Sequence, residues 1–310
     1  MSALVTGGAG FIGRHVVGEL LDRGVAVRAL DDLSRARPGS LEAFTGRPGY
    51  LGLTQGDVTD PAALRNGLMG VDTIFHLAAS VDVGASVHGP VQAIRANVLG
   101  TLDVLDAARA ANLRLVLVST CHVYASADGP LDERAATAPA SPYAASKLAA
   151  DDLAAGYRRA FRLRQTIVRP FNVYGPWQRG DLEGGVVARF LQASLAGRTL
   201  DVHGDGAQTR DFIFVEDAAS GIVAAAAETA VGRTLNLATG RETSIRELAA
   251  LIDGGAGRVR QVPHPHPQAE VERYLGNAAR ARELLDWRPR VALPEGLART
   301  RAWFSELAER

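Results

Sequence analysis

Cysteine is almost missing. A single one, Cys121, in 310 residues excludes an internal disulfide and any zinc or iron–sulfur site built on several thiolates, and it fits a reducing compartment. Net charge is missing as well: Lys+Arg 34 balance Asp+Glu 34, so no overall field draws the chain to nucleic acid or to an anionic membrane. No uninterrupted run of about 18 apolar residues occurs, which argues against a membrane-spanning helix. Met1-Ser2 leads straight into an apolar stretch with no basic segment or cleavage site, so the expectation is a cytoplasmic protein without a signal peptide. Lysine is as scarce as cysteine. Of the 34 basic residues only Lys147 is lysine and the rest are arginine. Base composition of the coding DNA accounts for such a bias; the one lysine that survives it marks a place where a tunable amine does what a guanidinium does not.

What is present is ordinary for a globular chain: 47% hydrophobic and 22% charged residues, enough for one large domain or two ordinary ones. Short apolar runs over 3–6, 25–30, 50–54, 73–77, 115–119 and 165–168 alternate with helical patterns over 11–23, 62–69, 91–111 and 143–160. Strand and helix in alternation predict an α/β fold with a doubly wound parallel sheet. Beyond Arg169 the pattern loosens, with Gly and Pro punctuation in FNVYGPWQRG and DLEGG. Helices follow near 186–196, 217–228, 244–252, 277–286 and 294–307, with short strands near 200, at 211–215 and at 234–237. The reading is a first domain over 1–171 and a smaller lobe over 172–310, part of 210–238 returning to the first. No internal repeat or low-complexity tail is evident.

The first strand runs into Thr6-Gly7-Gly8-Ala9-Gly10-Phe11-Ile12-Gly13. Glycines at 7, 10 and 13 permit a tight turn and close backbone approach to a pyrophosphate, which the positive end of the helix opening at Phe11 attracts. A glycine triplet alone can be turn chemistry; between a strand and a helix it points to a dinucleotide. Asp31-Asp32 follow the second strand, where an acid accepts hydrogen bonds from an adenosine ribose and repels a 2′-phosphate, favouring NAD over NADP. Arg35 and Arg37 lie close enough to weaken that preference unless they are solvated loop charges. Gly56-Asp57-Val58 either holds an adenine edge or forms an Asp-capped turn.

Ser141-Pro142-Tyr143-Ala144-Ala145-Ser146-Lys147 sets a tyrosine and the single lysine four apart on one face of a helix. A phenol with a pKa of ~10 is too weakly acidic to serve as a base at neutral pH, and nearby positive charge corrects this. Such a pair on a surface helix is common by chance, but here the lysine is the only one. The fifth strand ends in Val118-Ser119-Thr120-Cys121-His122, which places Thr120 at the carboxyl edge of the sheet, where catalytic groups collect. Its hydroxyl can bond a substrate oxygen that alternates between alcohol and ketone, or simply end the strand.

These residues, with FHLAA, RPFNVYGP, GDGAQTRDFIFVED and ELLDWRP in the same order, resemble the extended short-chain dehydrogenase/reductases. Within them they resemble the NAD-dependent nucleotide-sugar epimerase/dehydratase group, of UDP-glucose 4-epimerase type, over nearly the whole chain. The resemblance implies a Rossmann sheet with a smaller α/β substrate lobe. It also implies an NAD site formed by Gly7, Gly10, Phe11, Ile12, Gly13, Asp31, Asp57, Val58, Leu77, Ala78, Ala79, Asn97, Tyr143 and Lys147. Tyr143 would take the proton of a sugar 4-hydroxyl, Thr120 would share that hydrogen bond, and Lys147 would bind the nicotinamide ribose. Asn172 and Arg210 would grip the diphosphate of a UDP or dTDP sugar, and Tyr274 would stand beside the sugar, disfavouring an N-acetyl group. A homodimer through the helices at 91–111 and 143–160 is implied too, with Ala107, Ala108, Ala110, Ala149 and Ala150 allowing close packing.

Departures from the group's pattern separate the possible reactions. Dehydratases of the group carry Asp-Glu after the threonine, and decarboxylases keep an acid at the second of those places; here they are Cys121 and His122. Simple C4 epimerisation through a transient 4-ketone needs neither and is the leading expectation. A neutral imidazole with a thiol beside it leaves open a dehydration, decarboxylation or C5 epimerisation in which Cys121 and His122 form a second acid–base pair. A 4-ketoreductase and a non-catalytic NAD sensor are further alternatives, the sensor disfavoured by the presence of Thr120, Tyr143 and Lys147 together. Ala125 stands where glycine is usual, and Pro263-His264-Pro265-His266-Pro267 lacks an expected arginine, so one phosphate contact is lost or comes from elsewhere. That stretch reads as a solvated loop, and no metal is expected.

Overall fold

The computed structural model describes residues 1–181 and 185–308; part of the DLEGG stretch, 182–184, lies outside them. Its core is a parallel sheet of strands β1 (Ser2–Thr6), β2 (Ala26–Asp31), β3 (Tyr50–Gln55), β4 (Thr73–His76), β5 (Arg114–Val118) and β6 (Gln165–Pro170), with a seventh strand, Thr234–Leu237, beyond β6. The spatial order is β3-β2-β1-β4-β5-β6 and then Thr234–Leu237, every pair parallel. Helices cover both faces, the doubly wound architecture expected. Burial follows position. The inner strands β4 and β6 are buried at every residue, whereas β3 at the edge alternates half-buried and exposed residues along YLGLTQ.

The order reverses between β1 and β4, so their carboxyl ends diverge and leave a crevice there, the place where such sheets bind ligands. Helix Phe11–Asp22 starts at this crevice and packs along helix Val215–Ala224, which leads back to the seventh strand. Helix Pro142–Phe161 is fixed at its start by Pro142 in the first turn and by the Ser141 hydroxyl, which accepts from the Ala144 N–H at 3.2 Å.

The helix expected over 91–111 is present over 90–110 and carries a π turn within it. A helix at Val83–His88 precedes it, and its own parts are Pro90–Ile94, the wide π turn at Arg95–Leu99, and Gly100–Ala110. The extra residue of the π turn rotates Asn97 inward, where it is fully buried. Ala108 and Ala150 are buried in the core of their own chain and are not available on an outer face. Val91 and Ile94 on Pro90–Ile94 and Leu99 on the π turn are exposed apolar residues.

The smaller lobe is made of short pairings. Asn172–Tyr174 runs parallel to Phe212–Phe214, and Leu200–His203 runs parallel to Val259–Val262, a strand without a sequence signal because its residues are mostly exposed. Thr209–Arg210 lies between Thr243–Ser244 and Arg273–Tyr274. Its own core gathers Phe190, Leu191, Phe214, Leu248 and Phe304. No described helix is long and apolar enough to cross a membrane.

Candidate active site

A cleft of about 750 Å³ opens at the carboxyl ends of β1, β2, β4 and β5. Its floor is the glycine turn. Gly7 has φ +66°, and a Cβ there would lie 2.8 Å from the Ala78 nitrogen; one on Gly13 would lie 2.0 Å from the Gly7 carbonyl oxygen. The turn and the helix therefore approach the sheet as closely as backbone allows. Gly10 caps helix Phe11–Asp22 with no side-chain hydrogen bond, and the first turn carries no acid. The helix thus offers unpaired N–H groups and the positive end of its dipole to an anion in the cleft.

Asp31 lines the same cleft at the end of β2 and ties the loop together, accepting from the Ala9 N–H at 2.9 Å and the Leu33 N–H at 2.8 Å. Burial raises its pKa above the ordinary carboxylate value, against these hydrogen bonds. Asp57, Val58, Leu77, Ala78 and Ala79 also line the cleft, with Phe11 and Ile12. Asn97 does not. Its amide accepts from the Ser80 N–H at 2.7 Å and donates to the Ser80 carbonyl at 3.0 Å and the Ser146 hydroxyl at 2.9 Å, so it fastens a cleft loop to the helix that carries Lys147. Sequence reasoning missed a strap at the mouth. Arg37 donates to the Gln178 carbonyl at 3.0 Å, His15 lies 3.2 Å from the Pro176 carbonyl, and the Arg14 guanidinium sits 4.0 Å from the Trp177 ring centre.

Tyr143 and Lys147 project from one face of helix Pro142–Phe161 into the cleft, opposite Thr120 at the end of β5. Burial pushes the Tyr143 phenol up to about 12, and a hydrogen bond with Thr120 opposes that rise. Lys147 donates to the Val118 carbonyl at 2.7 Å; burial lowers its ammonium to about 8, with Asp151 opposing. Ser86, on the helix at Val83–His88, accepts from the Tyr143 N–H at 3.1 Å, a support no motif announced.

His122 and Cys121 border the same cleft, both in their neutral forms near pH 7. Burial lowers His122 to about 4, with Arg210 adding to the effect, and pushes the Cys121 thiol up to about 12. The His122 ring stands 6.2 Å from that of Tyr143 and 5.1 Å from that of Tyr274. Tyr274 is buried under the Arg210 guanidinium, 5.3 Å from its ring centre. Arg210 donates to the Thr209 carbonyl at 2.8 Å and pairs with Glu270, which also bonds His264 at 2.5 Å. The histidines at 264 and 266 are thus half-buried members of the lobe, His266 packing on His88, where a solvated loop was expected. Asn172 lines the cleft beside Pro170 and Phe171. No cluster of three metal-ligating side chains occurs among the described residues.

The cradle, the uncapped helix start and, among the described residues, a buried ammonium hydrogen-bonded to one backbone carbonyl suit an extended ligand with anionic groups such as a dinucleotide. Comparison with known proteins agrees. The model of a family described as NAD dependent epimerase/dehydratase matches residues 3–238. The UDP-glucose 4-epimerase of Mycolicibacterium smegmatis is 40% identical over 311 residues, 98% of each chain. The structure of Pal from Bacillus thuringiensis superposes with a TM-score of 0.96 at 38% identity, covering 99% of this chain and 100% of that one. The Thermus thermophilus UDP-glucose 4-epimerase in complex with NAD gives 0.90 at 31% identity, covering 98% and 99%.

Proposed function

We propose that this chain, which belongs to the NAD dependent epimerase/dehydratase family and is an NAD-dependent enzyme of nucleotide-sugar chemistry, inverts a nucleotide sugar at C4. NAD, when bound, would supply the hydride acceptor and a positive charge. The chain's own residues handle protons and position. Tyr143 removes the proton of the sugar 4-hydroxyl and later returns it; Thr120 shares that hydrogen bond; Lys147 favours the phenolate. Gly7, Gly10 and Gly13 let the cofactor approach, and Asp31 and Asp57 border its adenosine end. With the C4 hydride passing to the cofactor and back, a 4-ketone would form transiently, and inversion would require that it present its other face in the cleft before the hydride returns.

One observation carries the choice of epimerisation: the two places after Thr120 hold a buried thiol pushed up to about 12 and an imidazole lowered to about 4. Neither is a carboxylate, so the acid pair that the resemblance associates with elimination, and the acid it associates with decarboxylation, are absent from these places. The name of the Mycolicibacterium smegmatis relative supports the same reading. Arg210 and Asn172 would hold the diphosphate, and Tyr274 would bound the sugar. We take residues 1–171 with the returning segment as the cofactor lobe, and the exposed Val91, Ile94 and Leu99 as part of a homodimer face.

The test is proton NMR of the purified enzyme with UDP-glucose, UDP-galactose, UDP-glucuronate or dTDP-glucose in deuterium oxide without added cofactor. Interconversion at C4 without deuterium at C5 is expected. Loss of water or carbon dioxide, or deuterium at C5, would replace this reading with one in which His122 acts on the sugar.

A further inference from the structure

Among the described residues, the hydrogen-bond partner of the Lys147 ammonium is one neutral group, the Val118 carbonyl at 2.7 Å. The lysine is only 3% exposed, and a charge removed from water on those terms tends to lose its proton. One helical turn further along the same buried face stands Asp151, also 3% exposed. Its carboxylate is paired at 2.9 Å with Arg169 from β6. Arg169 in turn lies 4.8 Å from the ring centre of Tyr124, whose hydroxyl donates to Asn236 at 2.7 Å. Behind the site, then, positive, negative and positive groups alternate: Lys147, Asp151, Arg169. A buried ion pair seldom adds net stability over apolar residues of like volume, so stability alone is a poor account of why this one lies one turn from the lysine.

We propose that Asp151 is a positioning residue whose carboxylate, held between Arg169 and Lys147, keeps Lys147 an ammonium inside the dry site. This rests on the reading of Tyr143 and Lys147 as the acid–base pair. Among the described residues no competing anion offers itself. From β4, His76 faces the lysine, but its ring nitrogens lie 2.7 and 3.1 Å from the hydroxyls of Thr6 and Thr101. The turn after β5 brings the thiol of Cys121 and the imidazole of His122, and the lysine's own helix brings Tyr143. His88, Arg95, Asp103 and Asp106, on the helical segments packed against the other side of that helix, are exposed to solvent. Burial raises the Asp151 carboxyl above its ordinary value and lowers the Lys147 ammonium; against it, Arg169 and then Lys147 favour the carboxylate, and Asp151 favours the ammonium.

The composition supplies the assay. Because the chain holds one lysine, protein labelled with lysine enriched in ¹³C at Cε gives one side-chain resonance, and its shift against pH titrates Lys147 directly, with no turnover needed. In Asp151→Asn the midpoint is expected about one pH unit or more below that of the unmodified protein, and Asp151→Glu is expected to restore most of the difference. The alkaline limb of the pH–rate profile for UDP-galactose moves with it, which a merely structural carboxylate would not cause. Should the single variant fail to fold, Asp151→Asn with Arg169→Gln leaves no buried guanidinium without its partner and gives the same reading of Lys147. An unmoved lysine midpoint, with Tyr143→Phe inactive, overturns the proposal and leaves the acid–base reading standing. A fully active Tyr143→Phe overturns that reading and the proposal together.

Discussion

Replacing Lys147 by Met keeps the length of the side chain and removes its charge. In the folded protein the Tyr143 phenol is pushed up to about 12 by burial, whereas a base working at pH 8 needs a value near 8. The gap is about 4 units, or about 5 kcal/mol at 1.36 kcal/mol per unit. A positive charge close to a phenol lowers its pKa by about 1–3 units, so losing the ammonium one helical turn away is expected to raise Tyr143 by about 2 units. Lys147→Met should therefore lower kcat at pH 8 about 100-fold. The remaining rate should climb about tenfold per pH unit towards pH 10, because the phenolate is then the scarce species. Asp151 keeps its partner Arg169 in this variant, so the fold survives. The assay is the initial rate of UDP-galactose conversion from pH 6.5 to 10, with bound NAD measured on the same samples. A loss under threefold at pH 8, or a low rate that does not rise with pH, would refute the assignment of Lys147 to the phenol.

Gly13→Ala would place a Cβ 2.0 Å from the Gly7 carbonyl oxygen. Overpacking of this kind costs on the order of 1–3 kcal/mol, so the variant should purify with less NAD and melt lower, whereas full NAD content would show that the turn has room to spare. Cys121, pushed up to about 12 and buried, should not react with a disulfide reagent at pH 8 in the native protein and should react once per chain in guanidinium; a rapid native reaction would contradict its burial. His122 is lowered to about 4 by burial against ~6.5 unfolded, so the unfolded state binds the extra proton and the stability tied to this group falls as pH drops from about 6.5 to about 4. His122→Gln should reduce the slope of unfolding free energy against pH by about 1.4 kcal/mol per unit within that window, and equal slopes would show the ring to be solvated.

The features legible in the sequence are those whose physics is local. Buried strands such as β1 and β5 are short apolar runs. Gly7, Gly10 and Gly13 declare a backbone constraint, and Tyr143 and Lys147 share a face because four residues make one turn. What escaped depends on contacts between distant parts of the chain. Asn97 has the composition of a ligand-binding amide, yet the π turn at Arg95–Leu99 aims it at Ser80 and Ser146, and nothing in RANVL signals that turn. Val83–His88 is a helix of VGASVH, with a glycine and two β-branched residues against it. It is held instead by the Asp82 cap, which accepts from the Ala85 N–H, and by packing on the helix of Tyr143. The strap joins Arg37 to Gln178 across 141 residues, beyond any window of periodicity.

The hardest residues to foresee were Asp151 and Arg169. Each looks like a solvent charge when read in its own segment, and only the pairing of β6 beside β5, with helix Pro142–Phe161 laid over both, buries them together behind Lys147. A signal did exist: an acid four residues after the single lysine, on the same helical face as the tyrosine, and an arginine inside a strand otherwise apolar from Ile167 to Pro170. A charge on the buried stripe of a helix must find an opposite charge or give up its own. In this chain the two candidates were each other, and the lysine between the tyrosine and the carboxylate is the group whose charge the pair can govern.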